Sequence, residues 1–170
     1  MMTRRNVLLG GLSALGAGAA AKFLSKSPQA GEVEGATTGA SFEIVRSEEE
    51  WRRVLTPAQF RVLREHGTEA AGSSPLDHEH REGTYHCAGC DLPVFSSTTK
   101  FDSGTGWPSF WAPLENAIRT SEDRTLFFMV RTEVHCRRCG GHLGHVFDDG
   151  PPPTGLRYCM NGVSLRFVAA

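Results

Sequence analysis

The sequence predicts an antiparallel, mainly β fold with a short helical preface, and three observations carry that expectation. Beyond Thr68 the chain is cut by Gly, Pro, Asp and Ser into short segments, the clearest being a Phe-, Val- and Thr-rich run from Thr125 to Val134. Near the C-terminus Val163, Leu165 and Phe167 alternate with Ser164 and Arg166, which is the period of a half-buried strand. Helix-starting signals are confined to residues 47–67, and no long helical pattern or internal repeat follows. A length of 170 residues suits one such domain with a short extra segment.

Residues 1–30 read as the extra segment. They start Thr3-Arg4-Arg5-Asn6, continue apolar and small through Ala21, and contain no acidic residue. A paired arginine before a modest apolar run is the pattern of a twin-arginine export signal. The run is about fifteen residues against the roughly 20 needed to span a bilayer, so an anchor is the competing reading. Export, with a periplasmic or extracytoplasmic location, is the expectation, and membrane contact would come only through an uncleaved signal. Residues 31–46 are poor in large apolar side chains and read as a linker, leaving 47–170 as the folded domain.

The domain opens at Ser47, which has capping-box spacing to Glu50 with three acids in the first turn, so a short helix is expected there. Thr56-Pro57-Ala58-Gln59 repeats the signal with Pro at the first helical position. Phe60 and Leu63 would share its buried face, and His66-Gly67 would end it. Removing the four basic residues of the first thirty leaves 14 positive against 19 negative charges, with no basic surface for nucleic acid.

Four of the five cysteines form two pairs, Cys87-x-x-Cys90 and Cys136-x-x-Cys139. Each pair closes a tight knuckle, and two knuckles supply the S₄ donor set of a tetrahedral zinc site with no open coordination position, hence a structural one. Structural disulfides compete, because an oxidising compartment favours them. Zinc is compatible with export if the metal is loaded before a folded protein crosses the membrane.

The fifth cysteine, Cys159, stands in Arg157-Tyr158-Cys159-Met160-Asn161. In an extended strand Arg157, Cys159 and Asn161 project on one face. A cation beside a thiol lowers its pKa toward the nucleophilic thiolate, which Arg157 is placed to do. A lone cysteine is otherwise a buried inert thiol.

These residues resemble the methionine-(R)-sulfoxide reductases of the B type. The likeness rests on Cys87-Ala-Gly-Cys90, Phe101-Asp-Ser-Gly-Thr-Gly-Trp-Pro-Ser-Phe110, Cys136-x-x-Cys139-Gly-Gly-His-Leu-Gly-His-Val-Phe147, Asp149-Gly-Pro and Arg157-Tyr-Cys-x-Asn161, in family order over residues 55 to 168. The resemblance implies two twisted antiparallel sheets forming a shallow open site, with zinc on Cys87, Cys90, Cys136 and Cys139. It implies that Cys159 attacks the sulfoxide sulfur. His142, His145 and Asn161 would hold and protonate the oxygen, and Asp149 and Arg157 would set charge states. Trp107, Phe110 and Phe147 would bind substrate. The Gly-rich surroundings would let both imidazoles turn inward, whereas residues three apart on a regular strand face opposite ways.

One departure from the family pattern bears on recycling. Many members carry a resolving cysteine in the loop before the Trp, but Ser103-Gly104-Thr105-Gly106 has none. The enzyme would be a one-cysteine form acting as a monomer, regenerated by an outside thiol such as a thioredoxin-like protein. The alternative is a non-catalytic zinc-bearing β module that binds a peptide or protein partner.

Overall fold

The computed structural model describes residues 41–126 and 129–170; the expected export signal and residues 31–40 of the linker lie outside the described residues. Helix α1 (Glu48–Val54) starts at a capping box in which Ser47 Oγ accepts from Glu50 N at 3.2 Å and Glu50 Oε2 accepts from Ser47 N at 2.8 Å. Helix α2 (Pro57–Glu65) repeats the device with Thr56 and Gln59. It ends at His66-Gly67 as expected, with His66 itself in the left-handed conformation. Phe60 and Leu63 are buried as expected. Two residues of the linker pack as well. Ile44 N donates to Arg138 O at 3.0 Å, and Phe42 packs edge-on against His135.

Strands β1 (Gly83–Cys87), β2 (Pro93–Ser96), β3 (Lys100–Phe101), β4 (Ser109–Phe110), β5 (Ile118–Leu126), β6 (Met129–Cys136), β7 (His142–Phe147), β8 (Arg157–Met160) and β9 (Leu165–Ala169) follow. They form two antiparallel sheets, ordered β2-β1-β9 and β3-β4-β8-β7-β6-β5. The run Thr125–Val134 is not one strand. Leu126 pairs with Met129, so the chain reverses inside it, and Asp123 Oδ1 accepts from both the amide and the hydroxyl of Thr125 just before the reversal. Composition could not locate that reversal, because Phe, Val and Thr suit both arms of a hairpin. The C-terminal strand starts at Leu165, with Gly162–Ser164 in a 3-10 turn.

The core lies where the two sheets meet. Phe95 of β2 stacks on Phe110 of β4 with centroids 4.4 Å apart, and Tyr85 of β1 meets Phe110 edge-on at 4.9 Å. Phe110, expected to bind substrate, is therefore a core residue with no exposed surface. The register gives the reason: Phe110 pairs with Tyr158, whereas its neighbour Ser109 pairs with Cys159, so Phe110 faces away from the thiol. Phe110→Ala is expected to cost about 3–5 kcal/mol of stability. Urea titration would read this as a lower midpoint, whereas a raised KM with unchanged stability would return Phe110 to the substrate.

Candidate functional site

Each Cys-x-x-Cys pair sits at the end of a strand. Cys87 closes β1 and Cys136 closes β6, and each following turn folds back, with Asp91 N donating to Cys87 O at 2.8 Å and Gly140 N to Cys136 O at 2.9 Å. Asp91 and Gly140 both have positive φ, which tightens the two knuckles alike. At Gly140 a Cβ would come within 2.4 Å of the Phe42 ring, so glycine is required there twice over.

The four sulfurs converge. Cys87 and Cys139 Sγ are 3.7 Å apart, Cys90 and Cys136 Sγ are 3.5 Å apart, and all four lie within 4.8 Å of one another. A tetrahedral ion with sulfur ligands at about 2.3 Å sets its sulfurs about 3.8 Å apart, whereas a disulfide needs about 2.05 Å. The spacing fits a four-thiolate metal site and not two disulfides, and these cysteines could hold a metal ion. Because β1 and β6 belong to different sheets, an ion here would tie the sheets together.

Cys159 lies elsewhere, on β8. Ser109, Cys159, His145 and Glu133 are successive partners across β4, β8, β7 and β6, so their side chains share one face of the large sheet. A cavity of about 130 Å³ opens on that face, lined by Thr68, Trp107, Arg131, His145, Phe147, Cys159 and Asn161. A larger groove of about 560 Å³ runs past Arg61, Ser74 and Val163 and contains no cysteine. The close approach of β7 and β8 needs Gly144, where a Cβ would lie 2.1 Å from Cys159 O.

The two imidazoles do come to the same face, at a bulge beside Gly144. Glu133 pairs with His145 and His135 pairs with His142, which leaves one extra residue on β7. Their ring centroids are 5.3 Å apart. Only His145 lines the thiol's cavity, however. His142 stands behind it, fully buried, with Nδ1 2.7 Å from Glu133 Oε1.

His145 Nε2 lies 2.7 Å from Asp123 Oδ2, which also accepts from Arg131 at 2.6 Å. Burial opposes the charge on Asp123, but hydrogen bonds from Thr125, His145 and Arg131 outweigh it and hold the carboxyl well below the usual range. Burial lowers the His145 pKa, and Asp123 offsets this only in part. The ring is therefore neutral near pH 7 and donates from Nε2 to the carboxylate, leaving a lone pair on Nδ1.

Arg157 is gripped by Asp149 through two 2.9 Å hydrogen bonds and lies over the Phe147 ring at 4.6 Å. Its charge favours the Cys159 thiolate, but burial outweighs it and pushes the thiol above its ordinary value. This reverses the expectation drawn from the adjacent arginine, because desolvation was invisible in the sequence. Alkylation of Cys159 by iodoacetamide should accelerate as pH climbs through and beyond 9.0, the unperturbed value. In Arg157→Ala that rise should move to higher pH still, and an unshifted profile would show that Arg157 does not act on the thiol.

Sequence reasoning missed Glu69, which holds the site together. Its carboxylate accepts from Gly162 N at 2.5 Å and Val163 N at 2.9 Å, its amide donates to Asn161 Oδ1 at 2.9 Å, and its carbonyl accepts from Trp107 Nε1 at 3.2 Å. Asn161 also donates to Leu143 O at 3.1 Å, so its amide is fixed on both sides. Thr68, Arg131, Asp123 and Glu133 were missed too. The three on strands read as ordinary solvent-side polar residues, Thr68 lies in the connection after α2, and no local motif marks any of them.

A β fold with a four-sulfur cluster joining its sheets and one separate thiol beside an imidazole and an indole defines a thiol-dependent oxidoreductase site. Comparison with known proteins narrows that class. Residues 55–169 match the SelR domain family. The chain is 55% identical over 125 residues to the peptide methionine sulfoxide reductase MsrB of Pseudomonas putida (strain W619), covering 74% of this chain and 94% of that protein. To the MsrB of Agrobacterium fabrum (strain C58 / ATCC 33970) it is 52% identical over 125 residues, 74% of this chain and 93% of that protein. To the MsrB of Methanosarcina barkeri (strain Fusaro / DSM 804) it is 56% identical over 125 residues, 73% of this chain and 87% of that protein. The chain belongs to the MsrB family of peptide methionine sulfoxide reductases.

Proposed function

We propose that this protein reduces the R epimer of methionine sulfoxide in peptides, with Cys159 as the nucleophile. The observation that carries the reading is the cavity in which Cys159, His145, Asn161 and Trp107 meet. The Trp107 indole and Phe147 ring offer an apolar wall for the methyl group, and the Asn161 side chain lines the same cavity. Neutral His145 takes the proton of the Cys159 thiol at Nδ1 as the sulfur attacks, and the Asp123 carboxylate stabilises the imidazolium. That proton then goes to the sulfoxide oxygen as it develops charge. Methionine leaves reduced by two electrons, and Cys159, oxidised by two, is left as a sulfenic acid. No outside proton is consumed. His142 acts at one remove, by packing against His145.

Five cysteines less the four of the cluster leave Cys159 without an internal partner, which supports recycling by an external thiol. Two thiols returning the sulfenic acid to thiol give one disulfide and one water. The S₄ spacing supports zinc as a structural ion, and the four cysteines alone would hold it. The protein is proposed to act as a monomer in methionine repair. Arg4-Arg5 and the small apolar run after them support export by the twin-arginine route; Arg4→Lys with Arg5→Lys should leave the protein in the cytoplasm. A partner-binding module without catalysis is not favoured, since relatives matched over about nine tenths of their length are named reductases.

The test of function is to offer both epimers of a methionyl sulfoxide peptide with dithiothreitol. The R epimer should be consumed and the S epimer left, because a site that fits one arrangement about sulfur misplaces the other oxygen. Equal rates would sink the assignment.

A further inference from the structure

Beside the thiol's cavity lies a second one, of about 260 Å³, whose lining includes His66, Asp123, Glu133, His142 and His145. Three of its side chains converge on one point. His66 Nδ1 is 3.0 Å from Glu133 Oε1, and His142 Nδ1 is 2.7 Å from the same oxygen. Glu133 and His142 are nearly enclosed, with side chains 12% and 2% exposed, whereas His66 is 62% exposed and forms the open side. The other ring nitrogen of His142, Nε2, is buried with no hydrogen-bond partner among the described residues.

We propose that His66, Glu133 and His142 form a second metal site, for a divalent transition ion of the zinc class, separate from the four-cysteine cluster. Two imidazoles and a carboxylate are a donor set that zinc takes with a fourth position open. Ligands at about 2.0–2.1 Å around a tetrahedral ion stand about 3.3 Å apart, so the present 3.0 and 2.7 Å separations need to widen by about 0.3 and about 0.6 Å.

The proton balance allows the exchange. With one proton on each ring, the ion takes the two Nδ1 positions beside Glu133 Oε1 and each ring's proton moves to Nε2, so none is released. For His66 that nitrogen can reach solvent. For His142 an unpaired buried acceptor becomes an unpaired buried donor, so the burial cost is similar before and after. The charges lining the cavity favour a cation: Glu122, Asp123 and Glu133 against Arg124 and Arg131, which are paired to Glu122 and Asp123.

The three ligands come from parts of the chain with no sequence motif in common. His66 caps α2 in a left-handed conformation at φ 53, Glu133 lies on β6, and His142 opens β7 at the bulge. An ion there would pin the end of α2 to the large sheet, and its binding energy would add to stability.

The test uses the protein with zinc already on its cysteines, titrated with Co²⁺ and followed by visible absorption and calorimetry. One further ion should bind, with weak visible bands and no sulfur-to-cobalt charge-transfer band. His66→Asn keeps a residue that tolerates the left-handed cap and should weaken that binding at least tenfold. Its fold is checked by circular dichroism and by its melting temperature without added metal. Co²⁺ should raise the melting temperature of the native protein and not that of H66N. Equal affinity in H66N, a thiolate charge-transfer band, or no second ion in the native protein would each overturn the proposal.

Discussion

Replacing Cys159 by serine is expected to lower methionine sulfoxide turnover to below about 10⁻³ of the native rate while leaving the fold intact. The fold should survive because Cys159 is only half-buried, and oxygen for sulfur is a small change in volume. The rate should collapse because a serine hydroxyl is far less acidic than a thiol and cannot carry the two-electron oxidation to a sulfenic acid. His145 could still accept a proton, but there would be no sulfur to oxidise. Residual turnover near the native level, with an unchanged melting temperature, would move the nucleophile to another cysteine. The unmodified protein gives the complementary result. After one turnover without reductant, peptide mapping should find Cys159 trapped by a dimedone-type reagent and no internal disulfide. A bond from Cys159 to Cys87, Cys90, Cys136 or Cys139 would mean that the cluster supplies the resolving thiol.

Loss of the cluster should be still more damaging to the molecule. Cys87→Ser is expected to release the metal and leave the domain largely unfolded at 25 °C. Structural zinc contributes about 10–16 kcal/mol of apparent binding energy in small domains, whereas a whole domain is stable by about 5–15 kcal/mol. Even half of the binding energy therefore rivals the total. The topology makes the loss global, since Cys87 ends a strand of the small sheet and Cys136 ends one of the large sheet. Native mass spectrometry of protein desalted into metal-free buffer should find one tightly held zinc per chain in the unmodified protein and none in the variant, with circular dichroism reporting the lost strands. A folded, metal-free C87S protein would show that sheet packing alone suffices.

Legibility followed the range of the interactions concerned. Helix starts were readable because a capping box is closed between residues three apart, and both boxes formed at Ser47 and Thr56. The four-sulfur cluster was readable because each half is a local knuckle, and the odd cysteine stood out by simple count. Trp107, Phe147, His145 and Cys159 were placed by motif, and the fold brings them to one cavity. Among the described residues, no helix is long and apolar enough to cross a membrane.

Long-range placement had to wait for the tertiary structure. Phe110 lies beside Ser109 in the same motif, yet one residue of strand period turns it into the core, because pairing with Tyr158 fixes its face. The bulge on β7 brings His142 and His145 to one face, and only pairing with β6 reveals it. The Cys159 thiol is raised by burial despite its arginine, because desolvation depends on every residue packed around it. Glu69 is the clearest case. In sequence it is an acidic residue after a helix end, and in space its carboxylate and backbone hold Trp107, Asn161, Gly162 and Val163, some 38 to 94 residues away. By itself the sequence determined the chemistry available to this protein, through residue types at short spacing. Only the folded chain decided which of those residues share a face, a charge state and a cavity, because strand register and burial are set by partners far along the chain.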